Sequence, residues 1–256
     1  MKYSYDELAQ MIDHSLLHPT MTDQELADGC TVAARYRVAS VCIKPYAVRR
    51  AAELLRGSGV RVGAVIGFPH GNSATAAKRH ETELACRDGA VEIDMVINIG
   101  KALSGDWAFV ESDIRAVCDE AHGRGAKVKV IFENDYLANG GAGLGGDDFK
   151  RKLCELASGA GADWVKTSTG YGFVKGADGK YSYQGATEHD IALMRASCPP
   201  QVQVKAAGGV RDLDGLIRMR ELGATRCGAT ATAAILDEYR RRAAAEAARL
   251  QPAKSA

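Results

Sequence analysis

The chain has 256 residues, 46% of them hydrophobic and 25% charged, with a formal net charge of +1. This length allows one large α/β domain or two small ones, and the near-neutral charge gives no long-range field that would attract nucleic acid or an anionic membrane surface. No apolar stretch approaches the roughly 20 residues that span a bilayer. The first residues lack a signal-like apolar segment, so we expect a cytoplasmic protein that binds neither nucleic acid nor membrane.

The cysteines and histidines argue against disulfides and metal sites. The seven cysteines are spread singly, without a C-x-x-C pair, and are typical of small buried residues in a reducing compartment. His14 and His18 are four residues apart, but Pro19 follows them and no H-E-x-x-H motif is present. The sequence therefore predicts no metal ion and no organic cofactor.

Short β-rich segments alternate with amphipathic helical segments along the chain, a pattern typical of βα units in a parallel sheet. Helices are predicted between the strands, and glycine-containing dipeptides close several of them, where a left-handed C-cap suits glycine. The predicted strands are residues 10–16, 40–43, 61–66, 90–97, 127–133, 164–167, 201–205 and 224–227. The clearest predicted helices are residues 23–36, 46–55, 74–87 and 106–122.

Eight strands, each followed by a helix, in about 250 residues predict a (β/α)₈ TIM barrel. An open doubly wound sheet shows the same alternation, but it usually carries a G-x-G-x-x-G motif after its first strand, and none is found there. No change in composition marks a second domain, so we expect one barrel domain over residues 1–250 and a disordered tail over residues 251–256. Glycine-rich stretches at residues 139–146 and 170–179 lengthen the loops after the fifth and sixth strands.

Charged residues near the C-terminal ends of the predicted strands are informative, because (β/α)₈ enzymes place their reacting groups there. Asp94, Lys166 and Lys205 each interrupt an apolar strand, the fourth, sixth and seventh. A buried ion pair would explain one such residue, whereas three at the same end of a barrel indicate a functional site. Lys44 and Lys129 are further candidates for an inner charge network.

The two lysines predict covalent chemistry. Adjacent parallel strands lie about 4.8 Å apart, so the amines of Lys166 and Lys205 can crowd each other, and like charge together with burial lowers lysine pKa values. A neutral amine can attack a carbonyl carbon, which predicts a Schiff base, with Asp94 as the proton shuttle. The residues alone leave open which lysine is the nucleophile.

A second group of residues predicts an anion site. Loops after the last two strands commonly form the phosphate cradle of this fold, and glycine lets the backbone approach a phosphate closely. Threonine hydroxyls after the sixth strand would add donors. The residues assigned to this site are Thr167, Thr169, Gly170, Gly208, Gly209, Arg211, Gly228 and Thr230.

Longer segments around these residues follow a family pattern. The most specific are K-T-S-T-G at 166–170 and K-A-A-G-G-V-R at 205–211, with further matches I-D-H-S-L-L at 12–17, G-F-P-H-G at 67–71 and E-I-D-M-V at 92–96. On these motifs the chain resembles the deoxyribose-phosphate aldolase family over most of its length. The resemblance implies a class I aldolase, a lyase that reversibly cleaves 2-deoxy-D-ribose 5-phosphate into D-glyceraldehyde 3-phosphate and acetaldehyde.

The resemblance also implies individual roles. Lys166 is implied as the Schiff-base lysine, Lys205 as the neighbour that lowers its pKa, and Asp94 as the proton-relay carboxylate. Asp13 and Cys42 are implied beside the site. The implied partners are a phosphorylated sugar and an aldehyde, and the implied assembly is a homodimer, since dimers are common among members of the family.

Two loops depart from the family pattern and leave alternatives open. A glycine-rich insert follows residues 134–137, and Tyr171 stands where some members carry a phosphate-contacting lysine, for which Lys175 or Arg211 could compensate. One alternative is an aldolase of the same family that acts on a different short phosphorylated sugar. The others are a non-covalent phosphosugar isomerase, with Asp94 or Glu133 as its base, and a non-catalytic sugar-phosphate binding protein.

Overall fold

In the computed structural model, which describes residues 1–176 and 178–250, eight parallel strands close into a barrel. Each strand pairs with the next along the chain, and the last strand pairs with the first. The strands are β1 (Ile12–Leu16), β2 (Ser40–Ile43), β3 (Arg61–Ile66), β4 (Glu92–Val96), β5 (Lys127–Ile131), β6 (Trp164–Lys166), β7 (Gln203–Ala207) and β8 (Ala224–Ala229). The predicted (β/α)₈ barrel is thus confirmed, and the open sheet is excluded.

Helices surround the barrel. The side chain of Thr22 accepts a hydrogen bond from Glu25 N–H, and Glu25 in turn accepts one from Thr22 N–H, so a reciprocal capping box begins the second helix. Thr187 and Asp212 cap later helices with their side-chain oxygens. The helices are α1 (Tyr5–Ala9), α2 (Asp23–Tyr36), α3 (Val48–Leu54), α4 (Thr75–Arg87), α5 (Ile99–Leu103), α6 (Trp107–His122), α7 (Gly146–Gly159), α8 (Glu188–Ser197), α9 (Leu213–Glu221) and α10 (Thr232–Leu250).

The strand and helix boundaries differ from the sequence-based predictions at identifiable places. β2, β3 and α2 begin and end at the predicted residues. β5 ends earlier than predicted because Glu133 adopts a left-handed conformation (φ 61°) and a 3₁₀ turn, Asn134–Leu137, follows. The predicted helix 46–55 divides into a 3₁₀ turn beginning at Pro45, followed by α3.

The long loop after β6 contains structure that the glycine-rich pattern did not predict. Val174–Lys175 pairs with Tyr181–Ser182 in a short antiparallel hairpin. This hairpin stands outside the barrel sheet. The predicted tail, residues 251–256, lies outside the described residues.

The two faces of the barrel strands have opposite character. Ile93, Met95, Val128 and Val130 are fully buried in the main hydrophobic core, which packs the strands against the helices. The alternate residues of the same strands point into the barrel, because side chains alternate across a strand. Several of these inner residues are charged, and they are described below.

We expect the helix-facing layer to carry the stability of the fold. Ile93→Ala should lower the free energy of unfolding by about 2–5 kcal/mol, because it removes fully buried methyl groups and leaves a cavity. Urea denaturation followed by circular dichroism measures this loss. The control is Val91→Ala, since Val91 is 43% exposed, and it should change the value by no more than about 0.5 kcal/mol. Equal losses in the two variants would contradict this assignment.

Candidate active site

Lys166 and Lys205 are register partners on the adjacent strands β6 and β7. Their ammonium groups donate hydrogen bonds to the same atom, Oδ2 of Asp94 on β4, at 2.8 and 2.7 Å. All three residues are buried, and Asp94 is completely inaccessible to solvent. The three side chains predicted as the chemical centre therefore meet at one carboxylate oxygen.

Lys129 on β5 extends this contact towards the N-terminal ends of the strands. Its Nζ atom donates to Oδ1 of Asp94 at 2.8 Å and to Glu92, the first residue of β4, at 2.6 Å. Burial lowers the pKa of Lys129, but the combined attraction of Asp13, Asp94 and Glu92 raises it above its ordinary value. Lys129 is therefore a fixed cation that neutralises part of the negative charge inside the barrel.

Asp13 on β1 completes the network from the opposite side. It lies 2.5 Å from Nζ of Lys205, accepts a hydrogen bond from the Ser40 hydroxyl at 2.7 Å, and pairs with Arg226. Arg226 in turn contacts Glu92 at 2.5 Å. The buried part of the network consists of three carboxylates and four cations: Asp13, Glu92, Asp94, Lys129, Lys166, Lys205 and Arg226. The partly exposed Arg61 also pairs with Glu92 at 3.2 Å.

The charges fix the protonation of Asp94 and Lys205. Burial raises the pKa of Asp94, but Lys129, Lys166 and Lys205 together hold it well below its ordinary value. Burial lowers the pKa of Lys205, but Asp13 and Asp94 raise it well above its ordinary value. Crowding and burial therefore do not lower the pKa of Lys205, because two carboxylates outweigh them. Lys205 is a permanent positive charge beside Lys166.

A cavity of about 470 Å³ at the C-terminal ends of the strands gives access to both lysines. Three residues of the glycine-rich loops on its wall have left-handed backbones, namely Gly170, Gly208 and Gly209 (φ 85°, 85° and 87°). A side chain would strain these positions, so glycine leaves the backbone uncovered at the wall. The predicted site residues that line the cavity are Cys42, Lys166, Thr169, Gly170, Lys205, Gly208, Gly209, Arg211, Gly228 and Thr230.

Three predicted residues lie behind this wall. Asp13 and Asp94 are fully buried, and both contact Lys205 of the cavity wall. The Thr167 hydroxyl donates to the Ala207 carbonyl and accepts from the Ala207 N–H, each at 3.0 Å, so it joins β6 to β7. Of the two cations suggested to replace a phosphate-contacting lysine, Arg211 lines the cavity, whereas Lys175 is exposed on the hairpin.

Cys42 lies beside the centre as an uncharged group. Its Sγ atom is 3.7 Å from Oδ2 of Asp94. Burial, assisted by the charge of Asp94, raises the pKa of this thiol to about 11. A thiol that keeps its proton is a poor nucleophile, which supports the interpretation of Cys42 as a lining residue.

Two members of the ion network, Glu92 and Arg226, were not predicted from the sequence. The contact between Glu133 and Thr169 was not predicted either. Glu92 lies two residues before Asp94, so the alternation of a strand places both on the inner face, and this spacing could have revealed it. Arg226 interrupts an apolar strand as the lysines do. Glu133, named above as a possible base of the alternative isomerase, accepts hydrogen bonds from Thr169.

The described ranges, residues 1–176 and 178–250, contain no helix long and apolar enough to cross a membrane. They also contain no group of three or more His, Cys, Asp or Glu side chains arranged to hold a metal ion. The arrangement that they do contain, a lysine at a cavity wall with a buried charge relay, can form and hydrolyse an imine.

Comparison with known proteins places this geometry in a family. The family model described as DeoC/LacD family aldolase matches residues 8–237. The deoxyribose-phosphate aldolase of Rhodopirellula baltica is 48% identical, over 93% of this chain and 92% of its own. Deoxyribose-phosphate aldolase 1 of Bacillus licheniformis is 47% identical, over 90% of this chain and 95% of its own.

Solved structures agree. A putative deoxyribose-phosphate aldolase from Coccidioides immitis superimposes with a TM-score of 0.82 at 36% identity, covering 93% of this chain and 87% of its own. The deoxyribose phosphate aldolase from Aeropyrum pernix, described as a unique tetramer, gives 0.79 at 27% identity, covering 93% and 92%. The chain belongs to the DeoC/LacD family of aldolases.

Proposed function

We propose that the chain is a class I aldolase that reversibly cleaves 2-deoxy-D-ribose 5-phosphate into D-glyceraldehyde 3-phosphate and acetaldehyde. The observation that carries the proposal is the Lys166 amine, which lies at the cavity wall and shares one oxygen of Asp94 with a second lysine. The relatives named as deoxyribose-phosphate aldolases support the substrate.

Lys166 is the proposed nucleophile because it is the less constrained amine. Lys205 contacts two carboxylates, Asp13 and Asp94, whereas Lys166 has a single carboxylate contact among the described residues. Forming a bond from nitrogen to carbon disrupts fewer charged hydrogen bonds at Lys166 than it would at Lys205, which supports Lys166 as the attacking amine.

The reaction follows from this arrangement. The Lys166 nitrogen adds to the C1 carbonyl of the open-chain sugar, and loss of water gives an iminium ion. The C2–C3 bond then breaks, its electron pair passes into the iminium group to form an enamine, and the C3 hydroxyl loses its proton as glyceraldehyde 3-phosphate leaves. Protonation of the enamine at C2 and hydrolysis of the imine release acetaldehyde and restore Lys166.

Asp94 serves as the proposed proton relay, and Lys205 is the fixed positive charge beside it. Lys166 and Lys205 both donate to Oδ2 of Asp94, so a proton that leaves the Lys166 nitrogen can return to it through this carboxylate. Because the pKa of Asp94 is held well below its ordinary value, the proton rests on lysine and Asp94 carries it only in passing. The same low pKa makes Asp94 a weak base, which disfavours the alternative of a non-covalent isomerase that depends on it.

The phosphate group is proposed to bind at the glycine-rich end of the cavity. Gly208, Gly209 and Gly170 expose backbone there, and Arg211 supplies the positive charge. In this proposal Arg211 performs the role of the phosphate-contacting lysine, whose position in the sequence is occupied by Tyr171.

The cytoplasmic location and the homodimer also remain proposals for this chain. The family resemblance supports a homodimer, whereas the Aeropyrum pernix relative is described as a tetramer. Size-exclusion chromatography with light scattering measures the number of subunits, and a monomer would contradict the proposed assembly.

Lys166→Leu should abolish aldol cleavage, with a loss on the order of 10³-fold or more, because no other residue replaces a covalent nucleophile. Borohydride reduction with acetaldehyde, followed by peptide mass spectrometry, should find an adduct on Lys166 of the unmodified protein and none on the variant. Lys127→Leu, at a 59% exposed side chain on β5, is the control and should keep both signals. Cleavage retained without Lys166 would refute the assignment.

Lys205→Leu should move the pH dependence of imine trapping to higher pH. Without the positive charge beside it, the amine of Lys166 keeps its proton to a higher pH, so fewer molecules can attack the aldehyde near neutrality. The measurement is the rate of borohydride trapping with acetaldehyde between pH 6 and 10. Lys205→Arg keeps the charge and should keep the original profile. Identical profiles for all three proteins would contradict the coupling.

Arg211→Ala should raise KM for 2-deoxy-D-ribose 5-phosphate by about 10-fold or more, since it removes a charged hydrogen-bond donor to the phosphate. Steady-state kinetics with 2-deoxy-D-ribose, which lacks the phosphate, provides the control and should change little. A loss of equal size on both sugars would show that Arg211 does not contact the phosphate.

A further inference from the structure

Glu133, two residues after the end of β5, holds the loop that follows β6. The Glu133 carboxylate accepts a hydrogen bond from Thr169 N–H at 3.1 Å and another from the Thr169 hydroxyl. Glu133 is only 1% exposed, and its left-handed backbone (φ 61°) is unfavourable for a residue with a side chain. Such a conformation persists where the surrounding contacts over-determine it, and Thr169 supplies those contacts.

Two of the next three residues, Asp135 and Tyr136, also contact the loop after β6. The Asp135 carboxylate accepts hydrogen bonds from Gln184 N–H at 2.6 Å and from Gly185 N–H at 3.1 Å. The Tyr136 hydroxyl donates to the Phe173 carbonyl at 3.2 Å. The 3₁₀ turn after β5 therefore holds the long loop after β6 at both of its ends.

The held segments are in direct contact with the wall at which the phosphate is proposed to bind. Thr169 itself lines the cavity. At the other end of the loop, Ala186 N–H donates to the Gly208 carbonyl at 3.0 Å, and a Cβ atom on Gly185 would lie 2.7 Å from backbone atoms of Gly208. A shift of the loop at Gly185 would therefore displace Gly208 as well.

Glu133 is buried as a carboxyl group without a cationic hydrogen-bond partner among the described residues. Its pKa is raised to about 6, because burial raises it more than the hydrogen bonds from Thr169 lower it; the charge of Asp135 also raises this pKa and that of Lys166 lowers it. A buried carboxylate is unfavourable unless its oxygens are satisfied. The hydrogen-bond donors to the Glu133 carboxylate belong to Thr169. Burial of Glu133 is therefore favourable only while the loop after β6 keeps Thr169 in place.

We propose that Glu133 and Asp135 are positioning residues for phosphate binding. They touch the loop backbone rather than the substrate, and they hold Thr169 and Gly208 where the phosphate docks. The inference rests on the proposed aldolase function and deepens it, because it separates the residues that set affinity for the phosphate from those that form the imine.

The test compares Glu133→Gln and Asp135→Asn with two matched controls, Glu155→Gln and Asp148→Asn, whose carboxylates are exposed on α7. Each positioning variant should raise KM for 2-deoxy-D-ribose 5-phosphate by about 10-fold and leave kcat nearly unchanged. The inhibition constant of inorganic phosphate should rise by the same factor. Unphosphorylated 2-deoxy-D-ribose should bind as before, and the two control variants should match the parent protein.

A fall in kcat at unchanged KM, or an unchanged inhibition constant for inorganic phosphate in both variants, would overturn the inference. If Glu133→Gln does not fold, Asp135→Asn still tests the inference, because Asp135 is only partly buried and its substitution disturbs the fold less. Failure of the proposed function has a different signature: the parent protein would then give no borohydride-trapped acetaldehyde on Lys166. A trapped adduct combined with unchanged phosphate inhibition would refute the positioning role alone.

Discussion

The Oδ2 atom of Asp94 accepts hydrogen bonds from Lys166 and Lys205, and this shared contact holds together two amines that would otherwise repel each other. All three groups are buried, and buried charges are unfavourable by several kcal/mol unless they are paired. Asp94 alone does not balance two amines, and Lys129 adds a third cation on its other oxygen. The requirement for pairing explains Asp13 and the other charged residues inside the barrel, because each places an opposite charge beside a buried neighbour.

The inner and outer faces of the barrel strands make different contributions to the stability of the fold. The inner faces of the strands carry charges whose net contribution to stability is small or unfavourable. The outer faces, with Ile93 and Val130 among them, pack against the helices and supply most of the hydrophobic stabilisation. Because side chains alternate along a strand, β4 contributes to both: Asp94 points into the barrel, and its two neighbours pack in the hydrophobic core.

The parts of this arrangement that follow from local pattern could be predicted from the sequence. Consecutive strands of a (β/α)₈ barrel are neighbours, so the order of Lys166 and Lys205 along the chain was sufficient to predict that they are adjacent. The raised pKa of Lys205 could not be predicted in the same way, because Asp13 lies on β1, and its distance from β7 becomes short only when the barrel closes. The position of Thr167 depends on which side of the strand end its hydroxyl faces, which the motif does not specify.

The loops raise a different problem of prediction, since their contacts depend on individual side-chain and backbone conformations. The left-handed backbone of Glu133 and the hairpin that pairs Val174–Lys175 with Tyr181–Ser182 are not indicated by the glycine-rich pattern. Their location is nevertheless informative. The positions of Lys166, Lys205 and Asp94 are fixed by strand register. The proposed phosphate-binding end of the cavity is instead held by hydrogen bonds between loops.

Changes in the loops after β5 and β6 can therefore alter which sugar phosphate is bound while the imine-forming centre on the strands stays intact. This separation is typical of barrel enzymes, in which one scaffold supports different substrates through loop variation. In this chain the separation is incomplete at one residue. Glu133 lies between the two systems, because its carboxylate binds Thr169 of the loop while Lys166 of the centre influences its pKa.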